Sequence, residues 1–391
     1  MVDYAELMGI LSVPRPNGST AERETARALC DWLTRRGIVY HVHAFRLYPY
    51  FNEGLGLWIL TSSTLLVLSI VLRWGWPSLL IAGVSLLGVT LDGAFNIHFI
   101  TWPGARQGEN ILIQFEPLQV EQEIVLAAHY DTKTELLDHK ARAFFTGKMK
   151  FGVALMLLLG VMGLVDWLWL ARTLTWADIV FWVQIGFGLV VLFLAWGLGL
   201  NLTLGRFVTP SQGAVDNGTA CAILLDMVDR LASREIWLQR TRVTIALFAG
   251  EEVGMQGSRA YVQSRDWPLP TIAINLEIMA QDGDYVIWEH ESNVLQRIPT
   301  TPELNEVISA AVIAVTGKSP QLIELVNSDA FSFLSAGIRT AVLGTYHSQM
   351  EGGGLHRPTD NIERVVMARL PEGVQVLTRV LQKYDLKELA L

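Results

Sequence analysis

Charge is scarce in this sequence. Only 17% of its 391 residues are Asp, Glu, Lys or Arg, against 51% hydrophobic, and the mean hydropathy is +0.33. An ordinary soluble domain carries about 25% charged residues, which excludes a chain that meets water on every side. Basic runs are missing too. The net charge is −8, with no stretch dense enough in Lys and Arg to follow a phosphate backbone, which argues against nucleic acid as a partner. Cysteine is almost absent: Cys30 and Cys221 sit in helix-like patterns without a CxxC spacing. That excludes a disulfide framework and a zinc knuckle, and predicts two reduced core residues. The opening MVDYAELMGILSVPRP is acidic and lacks an apolar core, so no secretory signal peptide is expected there.

Long apolar runs are what the sequence has instead. Residues 54–72, 74–91, 151–170 and 179–204 are each near the roughly 20 residues that a bilayer-crossing helix needs. Asp166 is the one acid among them. Trp74, Trp76, Trp167, Trp169 and Trp176 gather beside the two tight turns, as an interfacial aromatic belt would. Buried core helices of a soluble protein would explain one such run better than four. The expectation is two transmembrane hairpins, 54–91 and 151–204, inserted into one discontinuous domain made of 1–53, 92–150 and 205–391. Lipid bilayer is then one partner of the chain.

Outside the hairpins, helix and strand patterns alternate. GSTAERETARALCDWLTRRG carries a capping box, Ser19 with Glu22, and a Gly37 stop. EIVLAAHYD, TRVTIALFAGEE, TIAINLEIM and TAVLGT read as buried strands, AVDNGTACAILLDMVDRLA as an amphipathic helix, and 361–383 as a closing helix. This order predicts an α/β fold with a doubly wound, mainly parallel sheet. In such sheets ligands bind beyond the carboxyl ends of the strands. His129, Asp131, Glu251, Glu252 and Glu277 all fall at those ends.

With Asp216 and His356, these residues form a divalent-cation inventory, because catalytic zinc takes N and O donors and keeps a position open for water. A metal pair needs one shared carboxylate. In AHYD, His129 and Asp131 point to one face of the strand end, so Asp131 can accept from the second ring nitrogen and set the tautomer. The neighbouring Glu251 and Glu252 point to opposite faces, which suits two different tasks. His41 and His43 also share a face, in a segment remote from the rest, and are expected to be solvated.

The segments VPRPNGSTAERETARAL, AAHYDT, GAVDNGTACAILL, FAGEEVGMQGSRAY, NLEIM, NSDAFSF and LHRPTDN together resemble the di-zinc aminopeptidases of peptidase family M28, a family that includes glutamate carboxypeptidases and glutaminyl cyclases. The resemblance covers the chain outside the hairpins and implies the zinc aminopeptidase fold. It implies two Zn2+ ions, one held by His129, Asp216 and Glu277, the other by Asp216, Glu252 and His356, with Asp216 bridging. Glu251 takes the position of the general base, and Asp131 joins it in the catalytic set. Two departures stand out. Glu277 occupies a position that is usually Asp, and His347 competes with His356, although His356 has the Pro and Asp-Asn that follow in the family motif.

The implied activity is hydrolysis of amide bonds in a peptide or amphiphilic amide, foremost as an aminopeptidase. The alternatives are an N-acyl amino acid or lipid amidohydrolase, a glutaminyl cyclase, and a non-catalytic membrane receptor or scaffold on the same fold. Arg35, Arg36, Arg46, Arg106, Lys133, Lys140, Arg142, Lys148, Lys150 and Arg206 flank the spans on the catalytic side, while the far turns carry only Arg73 and Arg172. That bias predicts a cytoplasm-facing catalytic domain.

Overall fold

The computed structural model describes residues 2–95, 99–168, 177–293, 296–324, 327–346 and 354–386. Helices α1 (Tyr4–Leu11) and α2 (Thr20–Arg35) lead to the edge strand β1 (His41–Leu47). Helix α2 begins where the capping signal lies: Ser19 Oγ accepts the N–H of Glu22 at 3.0 Å. The Glu22 carboxylate returns to the N–H of Gly18, one residue earlier than a reciprocal capping box requires.

Next come α3 (Phe51–Val71) and α4 (Gly75–Phe95), strands β2 (Arg106–Phe115) and β3 (Gln122–His129), helix α5 (His139–Gly147), and then α6 (Met149–Trp167) and α7 (Ala177–Leu204). Three stretches are long and apolar enough to cross a membrane: Phe51–Val71, Met149–Trp167 and Asp178–Phe207. Helix α4 contributes the shorter apolar stretch Gly75–Gly88, so three candidate spans stand where four were expected among the described residues. The helices nevertheless pack as one bundle, α3 along α7 and α4 along α6. Gly160 and Gly163 permit the second contact, since a Cβ there would lie 2.7 Å from Ala82 Cβ and 2.9 Å from Ser78 Cβ. Only 39%, 28% and 22% of the three apolar windows are buried, so Leu68, Trp182, Leu189 and Phe193 turn outward. Trp74, Trp76 and Trp167 are exposed at helix ends; Trp169, Trp176 and Arg172 lie outside the described residues.

The remainder runs α8 (Thr219–Ala232), β4 (Thr241–Phe248), α9 (Gln256–Gln263), β5 (Thr271–Glu277), β6 (Asp284–Ser292), β7 (Arg297–Pro299), α10 (Pro302–Thr316), β8 (Gln321–Glu324), α11 (Ala330–Ser335), β9 (Arg339–Tyr346) and α12 (Arg369–Asp385). The strand order is β1-β2-β4-β3-β5-β9-β6-β7, with β8 beside β6. Strands β4, β3, β5 and β9 are parallel, whereas β2 and β6 join this core antiparallel. The sheet is therefore mixed, a parallel centre with antiparallel flanks. The parallel centre is covered on both faces: Ile124, Leu126 and Ala128 of β3 share a core with α8 and α12, while Val125 and Ala127 meet Phe248, Tyr261 and Phe333. Burial on both faces is why these strands are continuous apolar runs. Cys221 is buried and Cys30 half-buried, and both are free thiols.

Candidate metal centre

The carboxyl ends of three parallel strands deliver the polar set to one place. β3 ends at His129, β5 ends at Glu277, and β4 runs out through Gly250, whose φ of +77° turns the chain into Glu251 and Glu252. Asp216 belongs to the distorted turn Ala214–Gly218 ahead of α8. It does not cap that helix; its side chain faces two imidazoles instead. Asp216 Oδ1 lies 3.2 Å from His129 Nε2 and Oδ2 lies 3.1 Å from His356 Nε2. His129 Nε2 is also 3.5 Å from Glu277 Oε2 and 3.9 Å from Glu251 Oε2, and His356 Nε2 is 2.9 Å from Glu252 Oε1. Three clusters with donor atoms within 4.8 Å of one another result: His129–Asp216–Glu277 and Asp216–Glu252–His356, with Asp216 common to both, and His129–Glu251–Glu252.

Surrounding groups hold each donor. Asp360 accepts from the backbone N–H of Val215 at 2.8 Å and of Asp216 at 3.3 Å, fixing the turn that carries the shared carboxylate. Asn275 and Asn217 each donate a side-chain N–H to Glu277, at 2.9 and 3.0 Å. His129 Nδ1 faces both the backbone carbonyl of Asp131, at 3.2 Å, and its carboxylate, at 3.6 Å. That carboxylate takes the side-chain N–H of Asn17 at 2.6 Å and the backbone N–H groups of Glu251 and Glu252 at 3.3 and 3.1 Å. Asp131 thus faces the His129 ring, as its spacing suggests, and also steadies the acid pair. Beside His356 Nδ1 stand Glu135 Oε2 at 3.3 Å and Arg142 Nη1 at 2.6 Å, and Glu135 is ion-paired with Lys133 and Arg142.

Asp360, Asn217, Asn275, Asn17, Glu135 and Arg142 escaped the sequence reading. Asp360, Asn217, Asn275 and Asn17 sit inside the LHRPTDN, GAVDNG, NLEIM and VPRPNGST segments, where they could have been singled out; Glu135 and Arg142 have no local signal. His347 lies outside the described residues. His41 and His43 lie on the edge strand β1, away from the centre.

The donors fit a divalent cation. Glu252 Oε1 is buried without a hydrogen bond, and four carboxylates share a small space with two imidazoles. Burial, with Glu252 and Glu277 close by, pushes the Glu251 carboxyl well above its usual range against the pull of His129. Burial raises Glu277 likewise. Burial would lower His129, but the facing Glu277 and Glu251 carry it well above the ordinary histidine value. Without a cation such a centre has to hold protons; cations can replace them, which is the usual coupling of metal binding to proton release. Glu251 differs from the other acids in keeping 12% of its side chain exposed. It lines a cavity of about 350 Å³ together with His129, Glu252, Glu277 and His356.

Comparison with known proteins bears on this geometry. The model of Peptidase family M28 matches residues 202–379, beginning where the second apolar hairpin ends and taking in Asp216, Glu251, Glu252, Glu277 and His356. A zinc aminopeptidase from Bacillus subtilis superposes with a TM-score of 0.55 at 13% identity, covering 97% of this chain and 93% of that one. The fold is that of the zinc aminopeptidases. A Zn-dependent exopeptidase from Parabacteroides distasonis (TM-score 0.54, 12% identity, 97% and 96% covered) has it as well. So does a glutaminyl cyclase from Fimbriiglobus ruber (TM-score 0.54, 12% identity, 97% and 92% covered). No curated protein sequence matches the chain. The family match and the shared fold together support a zinc metallopeptidase.

Proposed function

We propose that the protein is a membrane-integrated aminopeptidase that hydrolyses amide bonds at two zinc ions bridged by Asp216, with Glu251 as the proton carrier. The observation that carries the reading is the shared carboxylate: the two oxygens of Asp216 address two separate histidine–carboxylate clusters. His129, Asp216 and Glu277 would hold one ion, and Asp216, Glu252 and His356 the other. Bound there, the ions would supply an acidified water and a polarised carbonyl. Glu251 stands beside this donor set, partly exposed to the cavity, where a carboxyl group can take a proton from water and return it to the leaving amine. Burial keeps its proton affinity high, which suits a group that must hold the proton between the two steps. Asp131 fixes the backbone of Glu251 and Glu252 and so the direction of both acids.

Two other readings share the fold. Glutaminyl cyclase is supported by the solved cyclases with this architecture, whereas the complete pair of ligand clusters favours hydrolysis. A scaffold without activity would have no need of every donor. Membrane integration rests on three apolar helices whose outward faces lack polar cover, and the basic residues at their roots point to a cytoplasmic catalytic domain.

The test is Glu251→Gln in detergent-purified, zinc-loaded protein, assayed on Leu- and Ala-amides beside N-terminal Gln peptides. Turnover on the amides should fall about 100- to 10,000-fold with zinc content unchanged. Wild-type-like turnover sinks the assignment of Glu251, and cyclisation of Gln peptides without amide hydrolysis moves the activity to the cyclases.

A further inference from the structure

Beside the metal pocket lies a second cavity, inside the helix bundle. It is largely apolar and small, about 80 Å³, and lined from α3, α4, α5, α6 and α7. The two cavities are neighbours that share a lining residue. Leu198 lines both, and on α5 the neighbours Phe145 and Thr146 divide between them, Phe145 on the apolar side and Thr146 on the polar side. Along α7 the apolar cavity takes Val191, Leu194, Ala195 and Leu198, and the metal pocket takes Leu198, Asn201 and Leu202. Those positions advance by three and four residues, so they form one helix face, about 16 Å long from 191 to 202. A single stripe of α7 therefore runs from the interior of the bundle to the donors of the metal centre.

The roots of the bundle are tied to that centre. Asn52 at the start of α3 donates to the backbone carbonyl of Glu252 at 2.7 Å, and Asn201 of α7 accepts the N–H of Leu137 at 2.7 Å. Gly205, just after α7, permits close approach, since a Cβ there would sit 2.0 Å from the carbonyl oxygen of Thr134. A tether would need none of this.

We infer that the bundle cavity is a subsite for one unbranched alkyl arm of the substrate, so that the enzyme cleaves amides carrying an aliphatic chain. The inference rests on the amidase reading of the metal centre. Volume selects the occupant: a cavity of about 150 Å³ admits benzene, and this one is about half that, so it suits a chain rather than a ring. Its polar lining is limited to Ser62 and Ser85, whose hydroxyls bond to helix carbonyls, and the indole N–H of Trp58, which is buried without a partner. The arm could come from the acyl side, as in an N-acyl amino acid, or from the amine side, as in an aminoacyl alkylamide; both present the same chain to the cleft.

The test compares wild type with two plugged variants, Gly152→Leu and Ala195→Leu, in zinc-loaded liposomes. At Gly152 the added side chain has room, because only Leu194 Cδ1, at 3.9 Å, lies within 4 Å of its Cβ. Substrates are Leu-anilide, leucine alkylamides and N-acyl leucines of increasing chain length. Partition into the bilayer is common to all three proteins, so the variants isolate the subsite. Each variant should lose about tenfold or more of the long-chain to short-chain preference in kcat/KM, as excluding two or more methylenes would cause, while Leu-anilide turnover stays within twofold. The series that shows the loss identifies the side the chain comes from. A preference kept by both variants, or absent in wild type, overturns the subsite. If no amide is cleaved by wild type, the amidase reading fails, and occupancy is then read by photolabelling with octylamine bearing a terminal diazirine. Labels on 149–157 or 191–198 that Gly152→Leu removes support an alkyl cleft; labels elsewhere overturn it.

Discussion

Shortening Glu277 to Asp perturbs the one ligand position at which the chain departs from the family it resembles. Its Oε1 accepts from Asn275 at 2.9 Å, and its Oε2 accepts from Asn217 at 3.0 Å while facing His129 Nε2 at 3.5 Å. Removing one methylene withdraws the carboxylate by about 1.5 Å, the length of a carbon–carbon bond. It then cannot satisfy both amides and stay level with His129. A hydrogen bond to a charged group contributes about 1.5–3 kcal/mol, and losing one corresponds to roughly 10- to 100-fold in binding at about 1.4 kcal/mol per tenfold. Loss of a supporting contact around a metal ligand typically costs about the same. The expected result is one zinc equivalent weakened about 10- to 100-fold and a second, at Asp216–Glu252–His356, unchanged. Titration against a competing chelator with metal quantification resolves the two. Equal retention of both equivalents, or tighter binding by the Asp variant, would refute the reasoning that Asn217 and Asn275 set the reach of this carboxylate. Glu277→Gln, which keeps length but loses charge, should weaken the same equivalent.

Asp216→Asn should lower zinc stoichiometry more than any other single ligand change, because one amide oxygen cannot serve both clusters; two ions at full occupancy would show that Asp216 is not shared. Glu22 is pushed up to about 8 by burial and the Asp131 carboxylate. Its contribution to stability is therefore complete below about pH 4.5 and lost as pH rises through 8, by up to about 1.4 kcal/mol per unit. Melting in detergent should show Tm falling between pH 6 and 8.5, and a much flatter profile in Glu22→Gln; identical slopes would remove Glu22 as the cause. Added protease should spare the soluble domain in right-side-out vesicles and digest it in inverted ones, and digestion in the first would place the catalytic side opposite to the charge bias.

The legible part of this protein is the part whose physics is local. Strands buried on both faces are continuous apolar runs, so β3, β4, β5 and β9 were readable, and their ends carried the donors with them. The flanking strands β2 and β6 were not: they run antiparallel at the margins of the parallel core, β2 mixing exposed and buried residues and β6 buried and half-buried ones. Expecting a mainly parallel sheet followed from seeing only the centre. The groups that support the donors were hidden for a different reason. Asn17 meets Asp131, Asp360 meets Val215, and Asn52 meets Glu252 across 114, 145 and 200 residues of chain. A side chain that steadies a ligand from that distance has no periodicity or spacing to mark it.

The hairpins show the same limit most plainly. Three of their helices are long and apolar enough to cross a membrane, and their places ahead of AHYD and GAVDNG put them near the ligand segments. Sequence alone leaves open whether they only hold the enzyme at the membrane. Contact decides between tether and wall. A tether is indifferent to the centre it carries, but here α3 hydrogen-bonds to the backbone of Glu252, and the face of α7 that lines the bundle cavity continues into the metal pocket. Substituting Asn52 by Ala removes the first of these contacts without touching a donor. If the bundle is wall, that change should lower turnover on amides while leaving zinc binding within about twofold of wild type. If it is tether, both should stay as they are, and the apolar helices would have no part in the chemistry.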